Sequence, residues 1–181
     1  MAAKQMIAPG GRPGPIVVVR LAYGDGVLES LEAICRRLKI RNGVILTGFG
    51  SLTDFSVTGV RGPAFPPRRF YDRRTPRGVE ILAMSGVIAD YHVHSHVVLC
   101  DRARAFGGHL ERGCRVLSLA EIAIMRVDGI KLARRLDPTT AQTLLERVTA
   151  YPRANGNADR EGSLVTVARR LSRRRQAPSR G

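Results

Sequence analysis

The amino-acid sequence predicts an α+β domain with a compact, mainly antiparallel sheet and one main helix. One segment repeats its apolar residues at helical spacing, and about seven short runs are rich in β-branched residues. These runs follow one another with few helices between them, whereas a parallel sheet needs a crossover segment, usually a helix, between its strands. The order of the elements therefore favours hairpin connections.

Length and composition fit one domain followed by a tail. The chain has 181 residues, 44% of them hydrophobic, which is enough for a real core. No run reaches the ~18 apolar residues of a membrane span, and the N-terminal MAAKQMIAPGG lacks the apolar middle of a signal peptide. The three cysteines follow no paired pattern, so we expect reduced thiols in a soluble cytoplasmic protein without membrane contact.

Three segments are expected along the chain. A disordered Gly- and Pro-rich arm (residues 1–15) precedes the folded domain (16–127), and a C-terminal extension with a basic tail follows (128–181). The domain opens with the β-branched strand IVVVRL at 16–21. In the extension, the spacing of apolar residues favours a short helix over 139–148.

The main helix is predicted to follow Asp25, because aspartate is a common N-cap residue. Apolar residues then recur on one helical face, at Leu28, Leu31, Ile34 and Leu38. Acidic residues come early in this segment and basic residues late, as the helix macrodipole favours. Asn42-Gly43 is expected to close the helix.

The remaining strands are predicted from apolar, β-branched runs bounded by turn residues. They cover 43–52, 55–60, 79–89, the histidine-bearing run and 116–127, the last as one bent strand. Residues 61–78 are basic and rich in proline, which excludes a central strand there. We expect a long loop or an edge hairpin in their place.

All four histidines of the chain fall within eighteen residues. His92, His94 and His96 alternate along one predicted strand, so their side chains share a face at intervals of about 6.5–7 Å. His109 follows two glycines and can return to that face on a paired strand. Three imidazoles with an open fourth position form a known zinc arrangement. The alternative interpretation is a set of half-buried polar side chains with ordinary hydrogen-bond partners.

The chain is strongly basic, with 30 Lys and Arg against 15 Asp and Glu and a net charge of +15. Basic side chains that neutralise phosphates drive non-specific DNA binding. Aromatic residues are only 5%, so a stacking platform for single strands is poorly supplied. The alternative is a solvated surface enriched in arginine by coding bias. The candidate duplex contacts lie in the basic loop and tail and are Arg68, Arg69, Arg73, Arg74, Arg169, Arg170, Arg173, Arg174 and Arg175.

Several motifs follow one another in an order typical of one family. RLAYGDGVLESLEAICRRLKIRNGVILTGFGSL is followed by GVEILAMSGVIA, HSHVVL, GGHLERG and AEIAI. Over about residues 16–127 the chain resembles the plants-and-prokaryotes-conserved domain, also called domain of unknown function 296. The resemblance implies a compact α+β domain that is usually a homotrimer. Plant members carry AT-hook motifs beside this domain, and many prokaryotic members bear a DNA-binding label.

The resemblance also implies which residues form a site. The family's HxH motif falls on His94 and His96, and its GGHL motif makes His109 the third histidine, whereas His92 lies outside the pattern. The family fold is similar to that of acetolactate decarboxylase. In that enzyme an HxH pair and a later histidine, helped by a carboxylate, hold zinc.

The first functional hypothesis is a trimeric, non-enzymatic, DNA-associated protein of the nucleoid. It would contact duplex phosphates through its arginine-rich loop and tail. The N-terminal arm adds no AT-hook, because Gly11-Arg12-Pro13-Gly14 has a single arginine and no basic flank beyond Lys4. A related hypothesis is a pure oligomerisation module that binds a small anionic ligand in a histidine-lined pocket.

The second hypothesis is a zinc-dependent lyase or hydrolase that acts on a small carbonyl or ester substrate. The three histidines of the family motifs would hold the ion, which acts as a Lewis acid. Glu80 or Glu121, at matching family positions, would serve as fourth ligand or general base, and Arg20 would bind a substrate carboxylate. Ordinary structural roles fit these three residues equally well, in a subunit interface, at a sheet edge or in an ion pair.

Overall fold

The computed structural model describes residues 6–75, 78–138, 140 and 142–151. The elements are β1 (Arg12–Ala22), α1 (Val27–Arg37), β2 (Asn42–Val60), β3 (Arg69–Arg74), β4 (Val79–Ala89), β5 (His92–Cys100), β6 (Ala105–Leu110), β7 (Arg115–Asp128), β8 (Leu132–Asp137) and β9 (Gln142–Arg147). The predicted class is confirmed, because the described residues form an antiparallel sheet with a single helix.

The strand order brings distant parts of the chain together. The large sheet has the order β1-β7-β2-β4-β5-β6, and β3 pairs with β2 outside this path. β2 also pairs with β6, so β2, β4, β5 and β6 close into a ring. β8 and β9 form a separate two-stranded sheet.

β2 is one bent strand of 19 residues rather than the two strands predicted at 43–52 and 55–60. Its pairing with β7 shifts register at several points, so the strand bends without ending. Residues up to Leu52 pair with β4, whereas residues from Phe55 onward pair with β3 and β6. Of the two alternatives predicted for 61–78, a long loop or an edge hairpin, the structure has the hairpin, because β3 returns along the second half of β2.

The helix begins one residue after Gly26, which occupies the N-cap position without a side-chain cap. The prediction that Asp25 caps the helix is wrong. Its Oδ2 accepts a hydrogen bond from the backbone N–H of Ala22 at 2.9 Å and so closes the turn after β1. Because this carboxylate is hydrogen-bonded within the turn, it does not cap the N–H groups of the helix.

The helix ends earlier than predicted. Arg37 is its last residue, Lys39 has a left-handed backbone at φ 56°, and Asn42 already opens β2. Its apolar side is buried, with Val27, Leu28, Leu31 and Cys35 in the core. No helix in the described part of the chain is long and apolar enough to cross a membrane.

Side chains alternate between a buried inner face of the sheet and an exposed apolar one. The largest fully buried side chains include Leu31, Leu52, Phe55, Ile88, Leu99, Leu110, Ile122 and Ile124. The exposed positions on the other side of the strands are Ile16, Val18, Leu46, Phe49, Leu82, Val98, Leu117 and Leu119, and we call these residues the outer apolar face. An exposed apolar surface of this extent is typical of an interaction surface.

Both ends of the domain differ from the prediction. β1 begins at Arg12, so residues 12–15 belong to a sheet strand and not to the predicted disordered arm. Residues 142–147 form β9, and the predicted helix over 139–148 is wrong. The neighbouring apolar residues Leu144 and Leu145 are compatible with the repeat of a helix or of a strand, and pairing with β8 stabilises the strand.

Candidate functional site

Strands β5 and β6 bring three histidine side chains together. β5 alternates buried residues with histidines, so His94 and His96 project to the same side. β6 runs antiparallel to β5 and places His109 opposite His96. The ring centres are 5.5 Å apart for His94 and His96, 4.6 Å for His94 and His109, and 5.5 Å for His96 and His109. We call these three residues the histidine cluster.

The two glycines before His109 let β6 approach its neighbours closely. A Cβ atom on Gly107 would collide with the carbonyl oxygen of Val97, and one on Gly108 would lie 2.5 Å from the carbonyl oxygen of Thr58. β6 is therefore held tightly between β5 and β2. A larger side chain at either glycine would push β6 outward and carry His109 away from the cluster.

Burial and nearby positive charge lower the pKa values of two histidines of the cluster, His94 and His109. Partial burial, followed by the charges of Arg134 and of the neighbouring histidines, lowers the pKa of His94 to about 4. Burial also lowers the pKa of His109, although the Glu111 carboxylate acts in the opposite direction. Neutral imidazole is the form that binds a metal ion, so these rings need lose no proton first at neutral pH.

Glu111 belongs to the site and was missed by the sequence reasoning. Its Oε1 lies 3.2 Å from Nδ1 of His109, yet that buried nitrogen has no aligned hydrogen-bond partner. The signal was present in the sequence, because Glu111 follows His109 by two residues and extended residues at that spacing share a face. Carboxylates beside a metal-binding imidazole orient the ring and raise its basicity.

The residues of the cluster fit a zinc-like ion in type and spacing. Tetrahedral Zn–N bonds of about 2 Å place imidazole centres roughly 5 Å apart, which matches the observed 4.6–5.5 Å. Metal binding also requires that the donor atoms point at a common centre. Among the described residues, no group of three or more His, Cys, Asp and Glu is arranged so that it could hold a metal ion as it stands.

His92 belongs to a different group. Its Nδ1 lies 3.2 Å from Oε1 of Glu32, a helix residue that is only 5% exposed. Oε2 of Glu32 accepts a hydrogen bond from Arg112 at 2.6 Å. Burial raises the pKa of Glu32, but the hydrogen bonds from His92 and Arg112 outweigh burial and hold the pKa below its ordinary value. This group ties α1 to the sheet.

A cleft of about 520 Å³ lies between the two groups. His109 and Glu111 line it on one side, and Arg73, His92 and Arg112 also contribute to its wall. Because imidazole, carboxylate and guanidinium groups face one space, the cleft has the character of a site for a small polar ligand.

The other predicted catalytic residues lie away from the cluster. Arg20 is exposed on β1 and is opposite Glu121 of β7 in the register. Glu80 is exposed on β4 and is opposite Cys100, near the far end of β5 from His94. In the described part of the chain, no hydrogen bond or ion pair joins these three residues to the histidines. A single chain does not bring these three residues to the histidines, so their catalytic roles stay predictions.

Four of the predicted DNA-contacting arginines are described. Arg68 precedes β3, and Arg69, Arg73 and Arg74 lie on it, all four exposed. β3 is an edge strand whose described partner is β2. The other candidates, Arg169, Arg170, Arg173, Arg174 and Arg175, lie outside the described residues.

The β8–β9 hairpin places another arginine close to the cluster. The Asn42 side chain anchors the start of the hairpin, donating to the carbonyl of Ile130 at 2.8 Å and accepting from the N–H of Leu132 at 3.2 Å. Arg134 on β8 is half-buried, and after burial its charge is the main reason that the pKa of His94 is low. The sequence reasoning missed Arg134, because it treated the extension as separate from the domain.

The family model of the Plants and Prokaryotes Conserved (PCC) domain matches residues 8–128. The chain belongs to this family. The matched range contains every strand of the large sheet and the whole histidine cluster. The β8–β9 hairpin lies beyond the end of the matched PCC domain.

Solved structures share the PCC fold. A plant- and prokaryote-conserved protein from Pyrococcus horikoshii is 21% identical, with a TM-score of 0.67 over 80% of this chain and 100% of that one. A metal-containing protein from Archaeoglobus fulgidus is 22% identical, with a TM-score of 0.65 over 77% and 98%. A protein from Ralstonia eutropha JMP134, provisionally named as DNA-binding, is 26% identical, with a TM-score of 0.58 over 75% and 90%.

The curated relatives are longer than this chain. The bifunctional protein GlmU of Synechococcus sp. strain JA-3-3Ab is 29% identical over 166 residues, which cover 86% of this chain and 26% of GlmU. This chain therefore corresponds to about a quarter of that relative.

Proposed function

We propose that this PCC protein binds a zinc-like divalent cation with His94, His96 and His109 as ligands. The observation that carries the proposal is the convergence of three imidazole rings from two paired strands. Two further observations support it. The Glu111 carboxylate lies 3.2 Å from Nδ1 of His109, as expected beside an imidazole that binds a metal through its other nitrogen, and a solved structure of the same fold is a metal-containing protein.

The cleft beside the cluster suits lyase or hydrolase chemistry on a small carbonyl or ester substrate. A bound divalent ion would supply Lewis acidity. Glu111 would orient His109 and is close enough to the cleft to exchange a proton with a ligand there. Arg73 and Arg112 would offer positive charge to an anionic substituent of that ligand.

The test is the metal content of protein purified without an affinity tag. We expect wild type to retain zinc or a similar ion, and His94→Ala and His109→Ala to lower the affinity by about tenfold or more. His92→Ala is the matched control, because His92 contacts Glu32 and lies outside the cluster. Equal, near-zero metal in wild type and all three variants would overturn the proposal.

A second candidate function is association with duplex DNA, favoured by the exposed arginines on the β3 edge. The net charge of +15 and the name of the Ralstonia protein of the same fold support it. In a gel-shift assay at low salt we expect sequence-tolerant retardation. Replacing Arg68, Arg73 and Arg74 by Gln should weaken binding for all sequences and reduce the salt slope by about one per lost phosphate contact.

The DNA test has a control at an exposed arginine away from β3, to be compared with the single variant Arg73→Gln. Arg37→Gln removes one positive charge from the exposed end of α1 and should leave the retardation nearly unchanged. Absence of retardation by the wild-type protein at low salt would remove this candidate. If the protein associates with DNA and is not an enzyme, we also expect the gel shift to be the same whatever the metal content of the protein.

We propose further that the PCC domain assembles as a homotrimer through its outer apolar face. Val18, Phe49 and Leu82, for example, are 76%, 50% and 55% exposed in the single chain. Covering such side chains gains about 25 cal/mol for each Å² of apolar surface removed from water. A second copy of the same sheet is a surface of matching apolar character.

A further inference from the structure

Arg134 carries a positive charge that the described structure does not neutralise. It lies on β8, outside the matched PCC domain of residues 8–128. Its Nε–H is buried and has no hydrogen-bond partner, while Nη1 donates to the carbonyl of Thr143 at 3.4 Å. In the described part of the chain, no carboxylate forms an ion pair with it. A buried N–H group without a hydrogen-bond partner is costly, and an acceptor such as an anion would remove that cost.

The hairpin holds Arg134 in a defined place. Asn42 fixes the start of the hairpin through Ile130 and Leu132. Beyond the turn, Gln142 Oε1 accepts a hydrogen bond from Arg69 at 3.1 Å, which ties β9 to β3. Between these two attachments, β8 contacts β4, the neighbour of β5 in the sheet, and the charge of Arg134 acts on His94.

The neighbouring residue on β8 behaves differently. Arg135 is exposed and lies 3.8 Å from Glu146, so its charge has a carboxylate partner at the surface. Successive residues of a strand project to opposite faces. Arg134 is therefore directed towards the sheet and Arg135 towards solvent, so a substitution of Arg135 is a matched control for one of Arg134.

We propose that Arg134 is an anion-binding residue of the histidine cluster and that the ligand of this site is a small oxyanion. Nε–H and an Nη–H of one guanidinium offer two parallel donors, which match two oxygens of a carboxylate or a phosphate. When no ion is bound, a neutral imidazole N–H of the cluster adds a third donor. Arg69 brings a second positive charge to the same region, since its charge acts on His109.

This inference rests on the proposed function in that both place the ligand at the histidine cluster. It favours a small ligand over a polyanion, because the unpaired Nε–H of Arg134 is buried. It also gives the hairpin a role, as a segment beyond the PCC domain that adds a recognition group to the site.

The test uses the full chain in four forms: wild type, Arg134→Gln, Arg134→Lys and the control Arg135→Gln. Binding of acetate and of inorganic phosphate is measured separately by calorimetry and by shifts of the histidine ring signals in NMR spectra, with and without added zinc. We expect Arg134→Gln to weaken binding by about tenfold or more, whereas Arg135→Gln leaves it unchanged. The anion that wild type binds more tightly identifies the ligand as a carboxylate or a phosphate.

Two results overturn the inference: wild type binds neither anion, or Arg134→Gln binds both as wild type does. Arg134→Lys keeps the charge but loses the fork, and we expect about threefold weaker binding. If the Gln variant does not fold, equal binding by Arg134→Lys and wild type overturns the inference. The metal proposal can fail independently. In that case the protein takes up no zinc but still binds an anion in a way that depends on Arg134.

Discussion

His96 and His109 lie directly opposite each other on neighbouring antiparallel strands, with their ring centres 5.5 Å apart. The backbone creates this relationship, since β6 is packed closely enough between β5 and β2 to leave no room for a Cβ before His109. The site therefore depends on glycines that carry no chemistry of their own.

Replacing Gly108 with Ala is expected to destabilise the fold by about 2–3 kcal/mol, a typical cost of overpacking. The added Cβ would lie 2.5 Å from the carbonyl oxygen of Thr58, which β2 holds in place. Urea unfolding measures the loss, and Gly62→Ala is the control because no atom lies within 4 Å of its Cβ position. Equal stability of the two variants would contradict the close packing of β6.

Periodicity explains why the cluster could be predicted. An alternating pattern fixes which face each residue of β5 occupies, so His94 and His96 had to share a side. The turn and the glycines of β6 then made a return of His109 to that side the simplest pairing. The same local signals located β4 and β7 at nearly their observed bounds.

Other features depend on contacts that a single sequence does not encode locally. Arg134 reaches the cluster region only because Asn42 binds the start of the hairpin, 88 residues away from Ile130 in sequence. Asp25 has a side chain that commonly caps helices, yet its carboxylate accepts a hydrogen bond from the backbone N–H of Ala22 instead. Long-range pairing also turned residues 142–147 into a strand, against their helical spacing.

The Glu32→Gln variant is expected to lose about 1–2 kcal/mol of the free energy of unfolding at neutral pH. Glu32 is nearly buried and accepts a hydrogen bond from Arg112 at 2.6 Å, but the exposure of Arg112 limits the gain from their attraction. Denaturant unfolding measures the change. Glu146→Gln, at an exposed ion pair, should change stability by less than about 0.5 kcal/mol.

The contribution of Glu32 is also expected to depend on pH. Its pKa in the folded protein is below the ordinary value of 4.5, so the unfolded chain takes up the proton first as the pH falls. The stabilisation is complete above 4.5 and is lost as the pH drops through the lower folded pKa. Unfolding curves across this range should therefore converge for wild type and Glu32→Gln. A constant difference between them at all pH values would be incompatible with this ion pair.

Thiol reagents should distinguish the cysteines. Burial raises the pKa of both Cys35 and Cys114 to about 11, and neither is exposed, whereas Cys100 is half-buried. We expect iodoacetamide to modify Cys100 at least about tenfold faster than the other two in the native protein, because the thiolate is the reactive form. Mass spectrometry of digests gives the rates. In denaturant the three rates should become similar, and fast native modification of Cys114 would show that its surroundings open readily.

The outer apolar face should control the oligomeric state. Val18 is 76% exposed at the centre of β1, so Val18→Asp is expected to leave the single chain folded and to place an unpaired charge in any interface on this face. Light scattering should give the mass of three chains for wild type and of one chain for the variant. Leu136→Asp is the matched control, because Leu136 is 68% exposed on β8 and lies outside this face. A wild-type mass of one chain would contradict the trimer, and a trimer that survives Val18→Asp would place the contact elsewhere.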